Sequence, residues 1–193
     1  MRLFLETERV ALRRFTEADV DLLFELDGDP DVMRFLSGGK PTPRDVIQHE
    51  ILPRFLHSYE RGEGFGYWAA MEKTSGDFLG WFSFRPPAAA VPNEVELGYR
   101  LRKAAWGRGY ATEVSRALIR KGFTELGLRR VIATTYQDNL ASRRVMEKAG
   151  MTLVRTFRFT PADLSAQGTY QVASQDLWEG DDVEYALEKA DWD

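Results

Sequence analysis

The sequence predicts a mixed α/β fold in which helices cover a central sheet. Three observations predict it. The hydrophobic period is mainly helical up to residue 60 and becomes strand-like from Phe65. Helical and strand-like segments then alternate after residue 100. Apolar residues make up 44% and aromatic residues 12% of the 193 residues, enough for one buried core. We therefore expect residues 1–193 to form a single domain.

The first third of the chain is predicted to be one strand followed by helices. Residues 9–14 alternate in part between apolar and polar side chains, as in a strand. Thr16, with Asp19 three residues later, is typical of the start of a helix, here running to about Asp27. The sequence then predicts a break at 28–30, a short helical turn over 32–35 and a longer helix over 42–60.

The remainder is predicted to contain six more strands and two helices. Residues 66–71 and 78–84 are predicted as strands joined by the turn-forming segment 73–77. Residues 160–182 show no clear period and are expected to form an extended loop. The other predicted strands cover 94–101, 130–136, 152–159 and 183–189, and the two helices cover 109–126 and 140–148.

Composition excludes several classes of function. The net charge of −4 and the pI of about 5.4 argue against broad nucleic-acid binding, which needs a basic face. Without cysteine there is no thiolate metal site and no cysteine nucleophile. His49 and His57 are eight residues apart and lack the spacing of a zinc pair, so no metal is expected. No leader-like or membrane-spanning run is present, which predicts a cytoplasmic protein without a membrane partner.

Residues 106–112, WGRGYAT, are the most informative segment. Two glycines precede a predicted helix, so the backbone can approach a ligand closely while the first helical N–H groups have no partner. Such a turn favours pyrophosphate binding, although a plain tight turn has the same spacing. Two better-known phosphate motifs do not fit, because Thr112 stands where a dinucleotide fingerprint needs Gly or Ala, and Gly-Lys-Ser/Thr is absent.

Several segments in order resemble the GNAT superfamily of N-acetyltransferases, and within it the ribosomal-protein N-terminal (alanine) acetyltransferase type. They are ETERVALRRFTEADVDLLFEL, GDPDVMRFL, ELGYRL, WGRGYATE, DNLASRRVMEKAGM and VEYALEK, which together extend over nearly the whole chain. The resemblance implies a GNAT fold: a mostly antiparallel seven-stranded sheet, splayed between strands 4 and 5 and flanked by about four helices.

The resemblance also implies acetyl-CoA as cosubstrate. The family signature Gln/Arg-x-x-Gly-x-Gly/Ala falls on residues 106–111, with Trp106 in the first position. Backbone amides from about Arg108 to Thr112 are then expected to hold the pyrophosphate, with the pantetheine arm beside the fourth strand. The cofactor-binding residues expected on this basis are Tyr99, Arg100, Leu101, Trp106, Gly107, Arg108, Gly109, Tyr110, Ala111, Thr112, Asn139, Ser142 and Arg144.

Transfer of an acetyl group needs a neutral amine, a donor to the oxyanion and a way to discharge the thiolate. Glu96 is the candidate base, acting through water, although a salt-bridged strand residue would fit the same pattern. The resemblance implies catalytic roles for Asn139 and Ser142 near the pantetheine amide and the thiol, whereas Asn139 could instead cap a helix. Many GNAT enzymes carry a tyrosine acid where this chain has Met146, which leaves Ser142 first and Tyr136 second.

Charge patterns add weaker signals about the two substrates. Residues 100–130 carry nine Lys or Arg against two Glu, which would help capture coenzyme A, with Arg108, Arg143 and Arg144 as the stronger phosphate contacts. The acceptor is expected near three segments: residues 35–37, the stretch after Trp81, and residues 160–182.

Three functions remain open from the sequence. The first is acetylation of a protein or peptide N-terminal α-amine. The second is acetylation of a small amine such as an aminoglycoside, a polyamine or an amino-acid-like compound. The third is a non-catalytic acetyl-CoA-binding module. Whether the protein forms a homodimer is also left open.

Overall fold

One eight-stranded sheet forms the centre of the computed structural model, which describes residues 3–62, 64–87, 91–158 and 180–192. The strand order is β1-β2-β3-β4-β5-β6-β8-β7. All neighbours are antiparallel except β5 and β6, which confirms the mixed and mostly antiparallel fold. The strands are β1 Leu3–Glu6, β2 Val10–Arg14, β3 Gly66–Glu72, β4 Phe78–Arg85, β5 Glu94–Leu101, β6 Arg130–Tyr136, β7 Thr152–Phe157 and β8 Asp182–Glu188.

The sheet has one strand more than the seven predicted, and the additional strand is β1. Four residues give too short a pattern to identify a strand from sequence. The strand forms because it pairs antiparallel with β2, while Phe4 stacks on Trp68 with ring centroids 3.8 Å apart. Most of the expected loop over 160–182 lies outside the described residues.

The helices follow the predicted order, with one helix more than expected. Where a short turn was expected over 32–35, an α-helix runs from Pro30 to Ser37, because the Asp29 side chain caps it by accepting the N–H of Asp31 at 2.9 Å. A π-helical segment, Ile47–Ile51, joins α3 to α4 into one continuous helical unit. Counted in this way, the described residues contain five helices, where about four were expected. The helices are α1 Val20–Gly28, α2 Pro30–Ser37, α3 Arg44–Val46, α4 Leu52–Ser58, α5 Tyr110–Thr124 and α6 Leu140–Lys148.

A hydrophobic core lies on each face of the sheet. One contains Trp68 and Phe84 and is covered by α5, and the other contains Trp81 and is covered by α1 and α4. These aromatic residues are buried. Within the described ranges, no helix has the length and apolar character needed to cross a membrane.

Candidate active site

The sheet opens between β5 and β6. These strands pair in parallel only at their first three positions, ending at Glu96 opposite Ile132, although both strands continue beyond that point. A cavity of about 610 Å³ lies at the opening. It is lined by the ends of β5 and β6, the glycine turn, α2, α6 and part of β4. The predicted splay between the fourth and fifth predicted strands is therefore present at β5 and β6.

The glycine turn forms one wall of this cavity. Gly107 and Gly109 have φ angles of 70° and 85°, which only glycine adopts without strain, and α5 begins directly after them. The N–H of Glu113 makes a hydrogen bond to the carbonyl of Gly109 at 3.0 Å, so the three preceding N–H groups have no partner within the helix. Residues Gly107, Gly109, Tyr110, Ala111 and Thr112 all line the cavity. The turn therefore fits a pyrophosphate group at the positive end of a helix.

Arg108 lies in the turn, but its side chain is directed elsewhere. The guanidinium lies over the Tyr110 ring, 5.0 Å from its centroid, and Nη2 is 3.4 Å from Glu72. Tyr110 also donates its hydroxyl to Glu72. Arg108 is not among the residues that line the cavity, so the structure does not support a phosphate contact by its guanidinium.

Helix α6 contributes two cationic side chains to the cavity. Arg144 and Lys148, one turn apart, both line it. Arg143 is held away, because its Nε donates to the Tyr185 hydroxyl at 3.1 Å and its Nη1 to the carbonyl of Gln137 at 3.0 Å. Arg144, one of the expected phosphate contacts, therefore faces the cavity together with Lys148, whereas the guanidinium of Arg143 makes hydrogen bonds within the protein.

Two residues expected beside the pantetheine arm make contacts within the protein. The carbonyl of Leu101 accepts the indole N–H of Trp106 at 2.8 Å, which holds a half-exposed tryptophan at the cavity rim. Arg100 is buried on the opposite face of β5, where its guanidinium pairs with Asp27 at 2.6 Å. Its side chain therefore fastens β5 to α1, and contact with a cofactor is left to its backbone.

Tyr99 and Ser142 meet across the opening. The Tyr99 hydroxyl lies 3.0 Å from Ser142 Oγ and 3.1 Å from the carbonyl oxygen of the same serine. Burial raises the pKa of Tyr99, while the hydrogen bond to Ser142 opposes that rise. The phenol therefore remains protonated and can donate a hydrogen bond.

Asn139 is the N-cap of α6. Its Oδ1 accepts the backbone N–H of Ser142 at 3.2 Å, and its Nδ2 donates to the Thr135 hydroxyl at 3.2 Å. The capping role that the sequence left open is thus present. Met146, at the position of the tyrosine acid, is buried against the same cavity and has no proton to donate.

Glu96 lies where β5 and β6 begin to separate. Its Oε2 accepts a hydrogen bond from Arg85 Nη2 at 2.9 Å, and its Oε1 accepts one from the Thr134 hydroxyl at 3.3 Å. Burial, the largest single effect, would lower the pKa of Arg85, but electrostatic interactions with Glu96 and Tyr67 together outweigh it and raise that pKa. The arginine therefore stays charged, and the carboxylate faces the cavity as one half of an ion pair.

Two of the three segments expected near the acceptor line the cavity, and we call the part that they line the acceptor half. Phe35 and Leu36 of α2 belong to the first segment, and Ser83 and Arg85, which follow Trp81 on β4, belong to the second. The third, residues 160–182, lies almost wholly outside the described residues. Sequence motifs did not point to Tyr67 of β3, which lines the same cavity and could have been found only from the strand register.

Splayed strands, a glycine turn at the start of a helix, and a cavity between them are the features of a coenzyme-dependent acyltransferase. A family model described as "Acetyltransferase (GNAT) domain" matches residues 9–152. The chain belongs to this GNAT acetyltransferase family and is an acyltransferase enzyme.

Named relatives agree with the family. The chain is 34% identical, over 97% of its length and 77% of the relative's, to an FsC-acetyl coenzyme A-N(2)-transacetylase of Aspergillus fumigatus. It is 36% identical to the uncharacterized protein YkkB of Bacillus subtilis, over 80% of this chain and 88% of that one.

Solved structures show the same fold. A probable acetyltransferase superposes with a TM-score of 0.77 at 25% identity, covering 100% of this chain and 99% of the other. RimL, a ribosomal L7/L12 alpha-N-protein acetyltransferase in complex with coenzyme A, gives a TM-score of 0.72 at 19% identity, covering 97% and 98%. At that identity RimL supports the fold alone.

The described residues contain no group of three or more His, Cys, Asp or Glu side chains arranged to hold a metal ion.

Proposed function

We propose that this enzyme transfers an acetyl group from acetyl-CoA to an α-amino group, and that residues 1–193 form one domain for this purpose. One observation carries the proposal. A single cavity at the opening between β5 and β6 joins a turn suited to pyrophosphate with a carboxylate suited to an amine. The thioester would pass between Tyr99 and Ser142 on one side and Glu96 on the other.

The chemistry needs no covalent enzyme intermediate. The neutral amine attacks the thioester carbonyl, the C–N bond forms, and the carbonyl oxygen becomes an oxyanion. The C–S bond then breaks, and the thiolate receives the proton that leaves the nitrogen. Glu96, through a water molecule, takes the proton that an incoming ammonium must first lose. The hydroxyl of Ser142, held by Tyr99, supplies a hydrogen bond to the sulfur.

This site suits an amine of low pKa. A lysine amine, with a pKa of about 10.4, is only about 0.1% neutral at pH 7.4, which costs roughly 4 kcal/mol. A protein α-amine, with a pKa of about 7.7–8.0, is about a quarter neutral and costs less than about 1 kcal/mol. Glu96 is ion-paired with Arg85, and Met146 stands where many GNAT enzymes have a tyrosine acid. A site with so little acid–base assistance is better matched to an α-amine, because its deprotonation costs less free energy than that of a lysine.

The N-terminal α-amine of a protein or peptide is the first acceptor we propose, because of the sequence resemblance. A small molecule with an α-amine is the second, and one observation favours it. The relative that is 34% identical over 97% of this chain is named for transfer to an N(2) position.

Release of coenzyme A thiol with a chromogenic disulfide tests the proposal. The protein has no cysteine, so it adds no thiol of its own to the signal. The acceptors are peptides with free N-termini, N-blocked peptides that contain lysine, amino acids, polyamines and aminoglycosides. We expect turnover with α-amines. Turnover only with lysine side chains or polyamines would contradict the proposal, and acetyl-CoA binding without turnover on any acceptor would indicate a non-catalytic module.

A further inference from the structure

The floor of the acceptor half is built from three neighbouring strands in register. Tyr67 of β3 lies opposite Ser83 of β4, and Ser83 lies opposite Gly98 of β5. Two residues further along β4, Arg85 lies opposite Glu96. Side chains at opposed positions point to the same face of a sheet, so these groups form one patch. All five residues line the cavity.

Gly98 makes room for the Ser83 hydroxyl. A Cβ at this position would lie 2.6 Å from Ser83 Oγ, so any larger residue would displace the serine hydroxyl. The absence of a side chain at Gly98 therefore lets the hydroxyl of Ser83 lie over this position, beside Glu96 and Arg85 in the same patch.

The patch presents hydrogen-bond donors without partners of their own. Among the described residues, the hydroxyl groups of Tyr67 and Ser83 have no hydrogen-bond partner, and the guanidinium of Arg85 bonds only to Glu96. The Nε of Arg85 is buried without an acceptor. Burial raises the pKa of Tyr67, so its hydroxyl keeps its proton. Donors confined in a cavity and left unpaired are costly unless a ligand supplies an acceptor.

The neighbouring carboxylate fixes where the amine would lie. An amine activated by Glu96 through water lies next to Arg85, because the carboxylate and the guanidinium are 2.9 Å apart. The group on the carbon beside that nitrogen then lies over Tyr67, Ser83 and Arg85. A carbonyl or carboxylate oxygen would satisfy these donors, whereas a second ammonium group would be repelled by Arg85.

We propose that Tyr67, Ser83 and Arg85 bind the oxygen of a carbonyl or carboxylate on the carbon adjacent to the acceptor amine. The enzyme therefore selects aminoacyl-type acceptors over polyamines, aminoglycosides and lysine side chains. This inference rests on the proposed function and adds a chemical requirement to it.

Matched acceptors test the requirement. The set is alaninamide, alanine, an alanine-initiated tripeptide, and 2-aminopropane, which lacks the carbonyl but keeps the carbon skeleton around the amine. Rates are compared at equal concentrations of the neutral amine, which removes the effect of amine pKa. We expect the three carbonyl acceptors to react at least about tenfold faster in kcat/KM, the equivalent of one charge-assisted hydrogen bond. Alanine distinguishes a carboxylate from the neutral carbonyl of the amide and the peptide.

Three variants locate the site. Tyr67→Phe removes only a hydroxyl and is expected to raise KM for alaninamide about fivefold. Arg85→Gln is expected to raise it about tenfold or more, and Arg85→Lys to recover part of that loss. Arg120→Gln, an exposed arginine of α5 outside the cavity, is the matched control and should change nothing. With each of these variants, KM for 2-aminopropane should change little.

The outcomes separate this inference from the proposed function. Equal kcat/KM for carbonyl acceptors and 2-aminopropane would overturn the inference while leaving α-amine acetylation intact. Equal losses for every acceptor, in kcat rather than KM, would also overturn it, because Arg85 would then only hold Glu96. No thiol release with any of the four acceptors, despite acetyl-CoA binding measured by calorimetry, would overturn the proposed function itself.

Discussion

Arg9 is paired with Glu113 across 104 residues of sequence, with Arg9 Nε 2.7 Å from the carboxylate. The same carboxylate accepts the backbone N–H of Arg9 at 2.9 Å and the Thr7 hydroxyl at 2.6 Å. Arg9 Nη1 also donates to the carbonyl of Arg108 at 3.0 Å. The turn between β1 and β2 is thereby joined both to the first turn of α5 and to the glycine turn before it. This contact braces the proposed phosphate site from outside the motif.

Replacement of Glu113 by Gln should therefore weaken acetyl-CoA binding. The glycine turn would lose its brace, and we expect the Kd to rise about three- to tenfold, as for the loss of one or two hydrogen bonds. Isothermal calorimetry measures the affinity. Glu125→Gln, directly after the far end of α5, is the control, because among the described residues the side chain of Glu125 pairs only with Lys121. An unchanged affinity in Glu113→Gln would show that the turn holds its conformation alone.

Glu113 should also make the free energy of unfolding depend on pH. Burial would raise the pKa of Glu113, but hydrogen bonds from Thr7 and Arg9 outweigh it and hold the pKa below its ordinary value of 4.5. A carboxyl with a lowered folded pKa stabilises the fold above that ordinary value, and the stabilisation is lost as pH falls through the folded pKa. Thermal unfolding should show the wild type losing stability more steeply below pH 4.5 than Glu113→Gln. Parallel curves would contradict the assignment.

Gly109→Asp should abolish acetyl-CoA binding. The residue has a φ of 85°, and an aspartate would place a negative charge beside the N–H groups proposed to hold pyrophosphate. Gly127→Asp is a matched control, because Gly127 has a φ of 70°, open space around it and no place in the cavity. Both variants should lose similar stability, but only Gly109→Asp should lose binding by calorimetry. Retained binding would rule out this turn as the phosphate site.

Glu96→Gln should lower kcat at neutral pH about ten- to a hundredfold, since the acceptor ammonium would lose its proton without help. The rate should recover as pH rises, because the amine then becomes neutral in solution. A pH–rate profile with alaninamide measures this. A uniform loss at all pH values would instead mean that Glu96 only holds Arg85 in place.

Ser142→Ala should reduce kcat more than it weakens acetyl-CoA binding, because the serine hydroxyl is proposed to contact the departing sulfur.

Tyr99→Phe should reduce kcat by a smaller factor than Ser142→Ala does, and its pH–rate profile should keep the wild-type shape. The reason is that burial raises the pKa of Tyr99, so its hydroxyl does not titrate in the working range. Loss, in Tyr99→Phe, of an inflection that the wild-type profile shows would argue that Tyr99 exchanges protons during the reaction.

Local features of the fold followed from the sequence because local forces determine them. The hydrogen bond between the Thr16 N–H and Asp19 at 2.7 Å, the start of α5 after Gly109, and the alternation along β5 each depend on residues a few positions apart. The candidate base Glu96 was found in the same way. Strand β1 was missed because its four residues acquire a strand conformation only by pairing with β2.

Charged side chains show the limit of sequence reasoning most clearly. Arg100 and Arg108 stand beside the cofactor motif in sequence, yet their guanidinium groups are directed to Asp27 and Glu72. A long flexible side chain can reach several partners, and the nearest carboxylate in space decides among them.

The sequence by itself determined the family, the element order and the glycine turn, because each is written in residues that are close neighbours along the chain. Only the tertiary structure decided that Arg9 meets Glu113, that Tyr99 meets Ser142, and that Tyr67, Ser83 and Arg85 share one floor. Those contacts depend on strand register and on the divergence of β5 from β6. Register is set by the packing of the whole sheet, which no short segment encodes.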